Sequence, residues 1–173
     1  MPLTGKRVLI FAGPLYEDLE LWYPKIRLEE EGATTTIAGT GERTYQGKRG
    51  YPLTVDVDVA QVEARDFHGL VIPGGYAPDI MRRSPRLLDL TRQIFQARKP
   101  VAFICHAGWV PISAGIVRGK RVTSVGAIRD DLVNAGALWE DSPVVTDGNL
   151  ISSRTPADLP AFMKELIRQL SKD

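Results

Sequence analysis

Short apolar runs of strand length recur along this chain, each followed by a turn and a segment of helical periodicity, and that alternation leaves few folds open. Residues 8–12 are continuously apolar; after Gly13-Pro14 a charged helical pattern covers 17–31 and stops at Gly32. Residues 34–38 are short and β-branched. Residues 70–73 are apolar again, and Gly74-Gly75 separates them from a helix over 84–97, where Leu87, Leu88, Thr91, Ile94 and Phe95 fall at helical spacing. Residues 101–104 lead through Cys105-His106-Ala107-Gly108 into an apolar helix ending near Gly115. Residues 121–124 then precede a helix over 128–135 that ends at Gly136.

Strands without polar alternation are those buried on both faces, so the expected fold is α/β: one domain over 1–173, a mostly parallel sheet with helices on both faces and right-handed crossovers. Residues 43–57, with Gly47-Lys48 and Gly50, read as a small hairpin excursion. Residues 144–146 and 150–152 flank Asp147-Gly148-Asn149 as a second hairpin, and 158–170 reads as a closing amphipathic helix with Asp158 as its cap.

Composition removes several functions. With 22 basic and 21 acidic residues scattered along the chain, there is no basic stripe for nucleic acid or a membrane surface. One cysteine allows no internal disulfide, and two histidines supply no spaced zinc set. A hydrophobic share of 43% and a charged share of 25% are those of an ordinary globular chain that folds without staples. The amino-terminal residues do not read as a signal peptide, and no apolar run has membrane-span length, so the expected location is the cytoplasm. Gly74-Gly75 lacks the spacing of a nucleotide-binding loop, so no cofactor is expected, and no metal.

Ligands of such sheets bind beyond the carboxyl ends of the strands. Three loops lie there, at 13–18, 74–79 and 105–109. A lone cysteine is commonly a core residue. Cys105, however, stands where the chain leaves a strand for a helix, the arrangement of a nucleophile elbow, and a helix start favours its thiolate. Neighbouring side chains at such a turn usually diverge, so His106 is expected to serve through its backbone N–H, paired with that of Gly75 as an oxyanion hole. Glu17 is the expected proton carrier; Glu20 and Asp18 read more readily as carboxylates placed on a helix dipole. Asp79 is a candidate to orient His106, with a loop or helix-cap role equally open. His68 precedes its strand and belongs at the opposite end of the sheet.

The motifs Glu17-Asp18-Leu19-Glu20 with Tyr23-Pro24, Ile72-Pro73-Gly74-Gly75 with Pro78-Asp79, Ile104-Cys105-His106, and Ser153-Arg154-Thr155-Pro156-Ala157-Asp158-Leu159-Pro160 resemble the PfpI family along essentially the whole chain. This family belongs to the class I glutamine-amidotransferase-like superfamily. The resemblance implies a flavodoxin-like three-layer sandwich, a cysteine on a strained elbow, an acid at Glu17, and donors at Gly75 and His106. It also implies at least a dimer, with a hexamer as the larger alternative, and a Cys-His-acid set that Asp79 of an adjacent subunit would complete. Tyr16, Gly74 and Trp109 are the expected pocket residues; Trp109 follows the nucleophile where many relatives carry Gly-Pro.

Three functions follow from that resemblance and these residues. The leading one is a stress-response cysteine hydrolase acting on glyoxal or methylglyoxal adducts, or on the free aldehydes. The second is an intracellular cysteine peptidase. The third is a redox sensor or holdase that uses an oxidisable Cys105. Glutaminase activity is not expected, because no histidine follows His106.

Overall fold

The computed structural model describes residues 1–172. In chain order its elements are β1 (Arg7–Phe11), α1 (Asp18–Glu30), β2 (Thr34–Gly39), β3 (Thr44–Gln46), β4 (Pro52–Thr54), β5 (Val57–Asp58), β6 (Gly69–Ile72), α2 (Ala77–Met81) and α3 (Pro85–Gln96). They continue with β7 (Val101–Ile104), α4 (Trp109–Ala114), β8 (Arg121–Val122), α5 (Arg129–Asn134), β9 (Leu138–Trp139), β10 (Val144–Asp147), β11 (Leu150–Ser153) and α6 (Leu159–Leu170).

Seven strands form the central sheet in the order β10-β11-β7-β6-β1-β2-β5. All pairs are parallel except β10 with β11, which close a hairpin at Gly148-Asn149. Gly148 has φ +63°, the left-handed turn conformation that glycine takes without penalty. Val8, Leu9, Ile10, Leu70, Val71, Ile72 and all of β7 are completely buried, which is why these strands carry no alternation: helices cover both faces. Helix α1 packs against α6, and α3 against α4, which also meets α2 and α5. The result is a flavodoxin-like α/β fold.

Local chemistry sets the element ends. Ser84 caps α3, its hydroxyl accepting the Leu87 N–H, and Pro85 takes the first helical position, where no N–H is needed. Gly115 closes α4 at φ +73°. Asp158 is not a side-chain cap, contrary to expectation: its carboxylate is held by Arg154, with Nε at 2.8 Å and Nη2 at 3.0 Å. The 43–57 excursion is the antiparallel pair β3–β4, outside the main sheet, and its continuation β5 returns to extend the sheet edge beside β2. Residues 121–124 are not a strand of the main sheet; β8 pairs only with β9. Among the described residues no helix is long and apolar enough to cross a membrane.

Candidate active site

The loops after β1, β6 and β7 converge at the carboxyl edge of the sheet. Cys105 follows β7 directly, and its φ is +63°. A residue with a β-carbon in that region stores about 1–3 kcal/mol of strain, which the surrounding packing must hold. The chain then enters a 3-10 turn, Cys105–Gly108. Small residues make this possible: Ala107 is fully buried, and a β-carbon at Gly108 would come within 2.9 Å of Ile128. Cys105 itself is only partly buried. The backbone N–H groups of His106 and Gly75 both reach its sulfur and favour the thiolate.

Gly74 and Gly75 are needed where they stand. Gly75 has φ +79° and lies against the backbone of Leu15 to Glu17, where a β-carbon would meet Glu17 N and Leu15 O at 2.5 Å. That contact is a short antiparallel bridge between Tyr16 and Gly75, extended by Glu17 N–H donating to Gly74 C=O (3.1 Å) and Tyr76 N–H to Leu15 C=O (2.9 Å). Tyr16, expected to line the pocket, is completely buried. Its hydroxyl accepts from Trp22 Nε1 (3.1 Å) and donates to Tyr51 C=O (2.7 Å), so its side chain braces the excursion against α1.

The acid beside the thiol is Glu20, not Glu17. Glu20 is fully buried; its Oε2 accepts the Gly74 N–H at 2.8 Å, and its carboxyl group interacts directly with Cys105. Its other oxygen, Oε1, is buried and has no hydrogen-bond partner among the described residues. Burial, foremost, pushes this carboxyl up to about 8, with the charge of Glu17 adding to the effect. Glu17 is the extended residue preceding α1; it is largely buried, and its carboxylate pairs with Lys48 Nζ at 3.0 Å. Periodicity held the clue: Glu20 falls in phase with the buried Leu21, Pro24 and Leu28, a carboxylate on the apolar stripe of its helix. Asp18 instead accepts the N–H groups of Arg49 (2.9 Å) and Tyr51 (3.1 Å), gripping the β3–β4 loop.

His106 also departs from expectation. Its Nδ1 lies 3.3 Å from the Cys105 sulfur, because the left-handed turn at Cys105 swings the following side chain back over the thiol. Burial, then the charge of Lys48, lower its pKa, so the ring is held neutral. Trp109 packs edge-on against it, with ring centroids 5.4 Å apart, and donates Nε1–H to Asp131 (2.8 Å). Asp79 lies inside α2 and pairs with Arg83; within the described chain no hydrogen bond joins it to His106. His68 sits at the far end, its Nδ1 accepting the Arg7 N–H at 3.0 Å.

Burial, and then the negative charge of Glu20, push the Cys105 thiol up to about 12, while the two N–H donors and Lys48 act in the opposite direction. The Glu20 contribution depends on where one proton resides. A protonated Glu20 no longer repels the thiolate, so the two ionisations are coupled through that one proton. An open cleft of about 900 Å³ runs between α1 and the β3–β4 loop, lined by Glu17, Leu19, Trp22, Ile26, Lys48 and Tyr51 among others, and Cys105 is not in its lining. Gly74 and Trp109 are not part of its wall. Among the described residues no group of three acidic, His or Cys side chains is placed to hold a metal ion.

A sequence profile described as the DJ-1/PfpI family matches residues 6–169. The chain belongs to this family. A deglycase of Pyrococcus abyssi is 44% identical over 164 residues, covering 95% of this chain and 99% of the relative. YraA of Bacillus subtilis, provisionally named a cysteine protease, is 36% identical and covers 96% and 99%. The crystal structure of Drosophila melanogaster DJ-1beta superposes with a TM-score of 0.90 at 31% identity, covering 97% of this chain and 91% of that one. The names of these family members thus belong to deglycase and protease-like functions.

Proposed function

We propose that this protein is a cysteine-dependent hydrolase that removes glyoxal- or methylglyoxal-derived adducts or converts the free aldehydes. The observation that carries the reading is the Cys105–Glu20 pair beneath two N–H donors. The Cys105 thiolate adds to the aldehyde carbon, forming an S–C bond, and the new oxyanion lies against the N–H groups of Gly75 and His106. Glu20, entering the step as the acid, donates its proton to that oxygen, giving the hemithioacetal. As a carboxylate it next takes the proton from the carbon bonded to sulfur and returns it to the neighbouring carbonyl carbon, while the hemithioacetal hydroxyl proton passes to that carbonyl's oxygen, so the C=O ends on the carbon that bears sulfur. The product is a thioester of a 2-hydroxy acid. Water cleaves it, releasing the acid and restoring the thiol. No electrons are gained or lost overall, so the scheme requires no cofactor.

The 44% identical deglycase supports the substrate class. The test is turnover of methylglyoxal and of a glyoxal-treated peptide by the wild type, Cys105→Ser and Glu20→Gln. Release of many equivalents of 2-hydroxy acid, lost in both variants, is the expected result; a burst of one equivalent with no further release would end this reading.

The 3.3 Å approach of His106 to the sulfur favours a peptidase as the second reading, since a Cys-His pair could protonate an amine leaving group. It lacks its third member within one chain, where Asp79 is turned to Arg83. We further propose that the chain assembles as a dimer through the face on which Leu19, Ile26 and Tyr51 are each more than half exposed.

A further inference from the structure

The imidazole of His106 has only a weak polar tether. Its Nδ1 lies 3.3 Å from the Cys105 sulfur, and a thiol is a weak hydrogen-bond partner. Among the described residues nothing hydrogen-bonds Nε2, so no carboxylate orients this ring as one does in a Cys-His-acid set. A ring tethered so lightly turns about its side-chain bonds unless packing stops it.

The packing comes from three residues further along the chain. The 3-10 turn Cys105–Gly108 runs directly into α4, whose first residue is Trp109, and in such a turn the side chains at i and i+3 stand over one another. Trp109 therefore meets the imidazole, with ring centroids 5.4 Å apart and planes at 60°. The indole is itself fixed from two other helices. Its Nε1–H donates to Asp131 of α5 at 2.8 Å. The guanidinium carbon of Arg82, at the end of α2, lies 5.7 Å from its ring centre, and Arg82 Nε donates to Ser113 Oγ of α4 at 2.9 Å. Three helices thus converge on one aromatic ring, and that ring on the imidazole.

We propose that Trp109 is a positioning residue for His106: anchored by Asp131 and Arg82, it holds the imidazole over the Cys105 sulfur, the task a carboxylate performs in a Cys-His-acid set. The proposal rests on the reading of Cys105 as the reacting group. It accounts for a close Cys-His contact in a chain whose Asp79 is turned to Arg83. An aromatic neighbour places the ring without supplying charge, so the imidazole is oriented but not made more basic. The titratable and charged groups that face it are Cys105 from its own turn and Lys48 from the β3–β4 loop, with Arg82 and Asp131 behind Trp109. If Trp109 filled the core and did nothing else, changes at the exposed Asp131 would leave His106 untouched.

The test is titration of the imidazole by proton NMR. The chain has two histidines; His68, at the other end of the sheet, is the internal reference, and His106→Gln tells the two signals apart. Trp109→Ala uncovers the ring and is expected to raise its midpoint by about half a unit to one unit, toward the ordinary histidine value. Asp131→Ala, at an exposed position where the fold is not at risk, is expected to raise it too, by less. The sign is decisive, because loss of a nearby negative charge by itself lowers a histidine midpoint. Trp109→Phe keeps an aromatic ring without the N–H and should match Asp131→Ala, and the two changes combined should move the midpoint no further than either alone. An unmoved midpoint in Trp109→Ala, a midpoint that stays or falls in Asp131→Ala, or additive shifts in the double variant would overturn the proposal. The titration reads the imidazole and not turnover, so a chain whose imidazole behaves as stated but which turns over no aldehyde would refute the deglycase reading alone.

Discussion

Glu20 Oε2 and the β-carbon of Cys105 meet over one face of Gly74, 2.5 and 2.8 Å from where a β-carbon would stand, and burial keeps a proton on that carboxyl group. Glu20→Gln keeps the shape and a hydrogen-bonding amide but cannot give that proton up. It is expected to lower aldehyde turnover by at least about 10²-fold, the range for losing a general acid-base. Glu17→Gln, one turn away and facing Lys48, is expected to keep turnover within about tenfold of the wild type; steady-state kinetics on the two variants would separate them.

The same carboxyl group makes stability depend on pH. Its pKa is raised in the folded chain from 4.5 to about 8, so the native state holds the proton more tightly than the unfolded state does. Folding is therefore most favoured below the ordinary carboxylate value and loses stability as pH climbs toward 8. A shift of this size corresponds to about 4–5 kcal/mol. Urea denaturation across that window should show the decline, and Glu20→Gln should flatten it.

Gly74→Ala is a steric probe of the same contact. The added methyl group would lie 2.5 Å from Glu20 Oε2 and 2.8 Å from the Cys105 β-carbon. Because both neighbours are held by packing, a loss of about 1–3 kcal/mol is expected on denaturation, together with a displaced thiolate titration.

His106 offers a way to choose between the two catalytic readings. His106→Gln retains the backbone N–H that faces the sulfur and removes the imidazole. Aldehyde turnover is expected to fall less than about tenfold, whereas a peptidase would lose roughly the 10²–10⁴ of its base. Parallel assays on methylglyoxal and on unfolded casein would make the comparison.

Assembly is open to a simple measurement. Sedimentation of the wild type should give the mass of a dimer, and Ile26→Glu, which places a charge on the exposed apolar face of α1, should give the monomer. A monomeric wild type would remove the proposed interface.

Most of the architecture is legible in the sequence because the buried strands read as continuous apolar runs and the longer helices carry a period that can be counted. The elements that escape it are short: β5 and β9 have two residues each and α2 has five, lengths at which no periodicity exists. The site is legible where topology alone decides it, at Cys105 and at the Gly75 and His106 donors. It is obscured where side-chain direction decides. Nearness to the loop favours Glu17, whereas phase within α1 selects Glu20, and the divergence expected of His106 assumes an ordinary φ at Cys105. Asp158, which stands where a cap of α6 would, is claimed by Arg154 four residues earlier.

The left-handed backbone at Cys105 makes durability and chemistry rivals at a single position. A glycine there would adopt the same turn without the strain. A copy of this protein released from any need for its thiol could therefore become more heat-resistant by the very substitution that silences it. Retention of a side chain at this point is a cost that only a working sulfur repays.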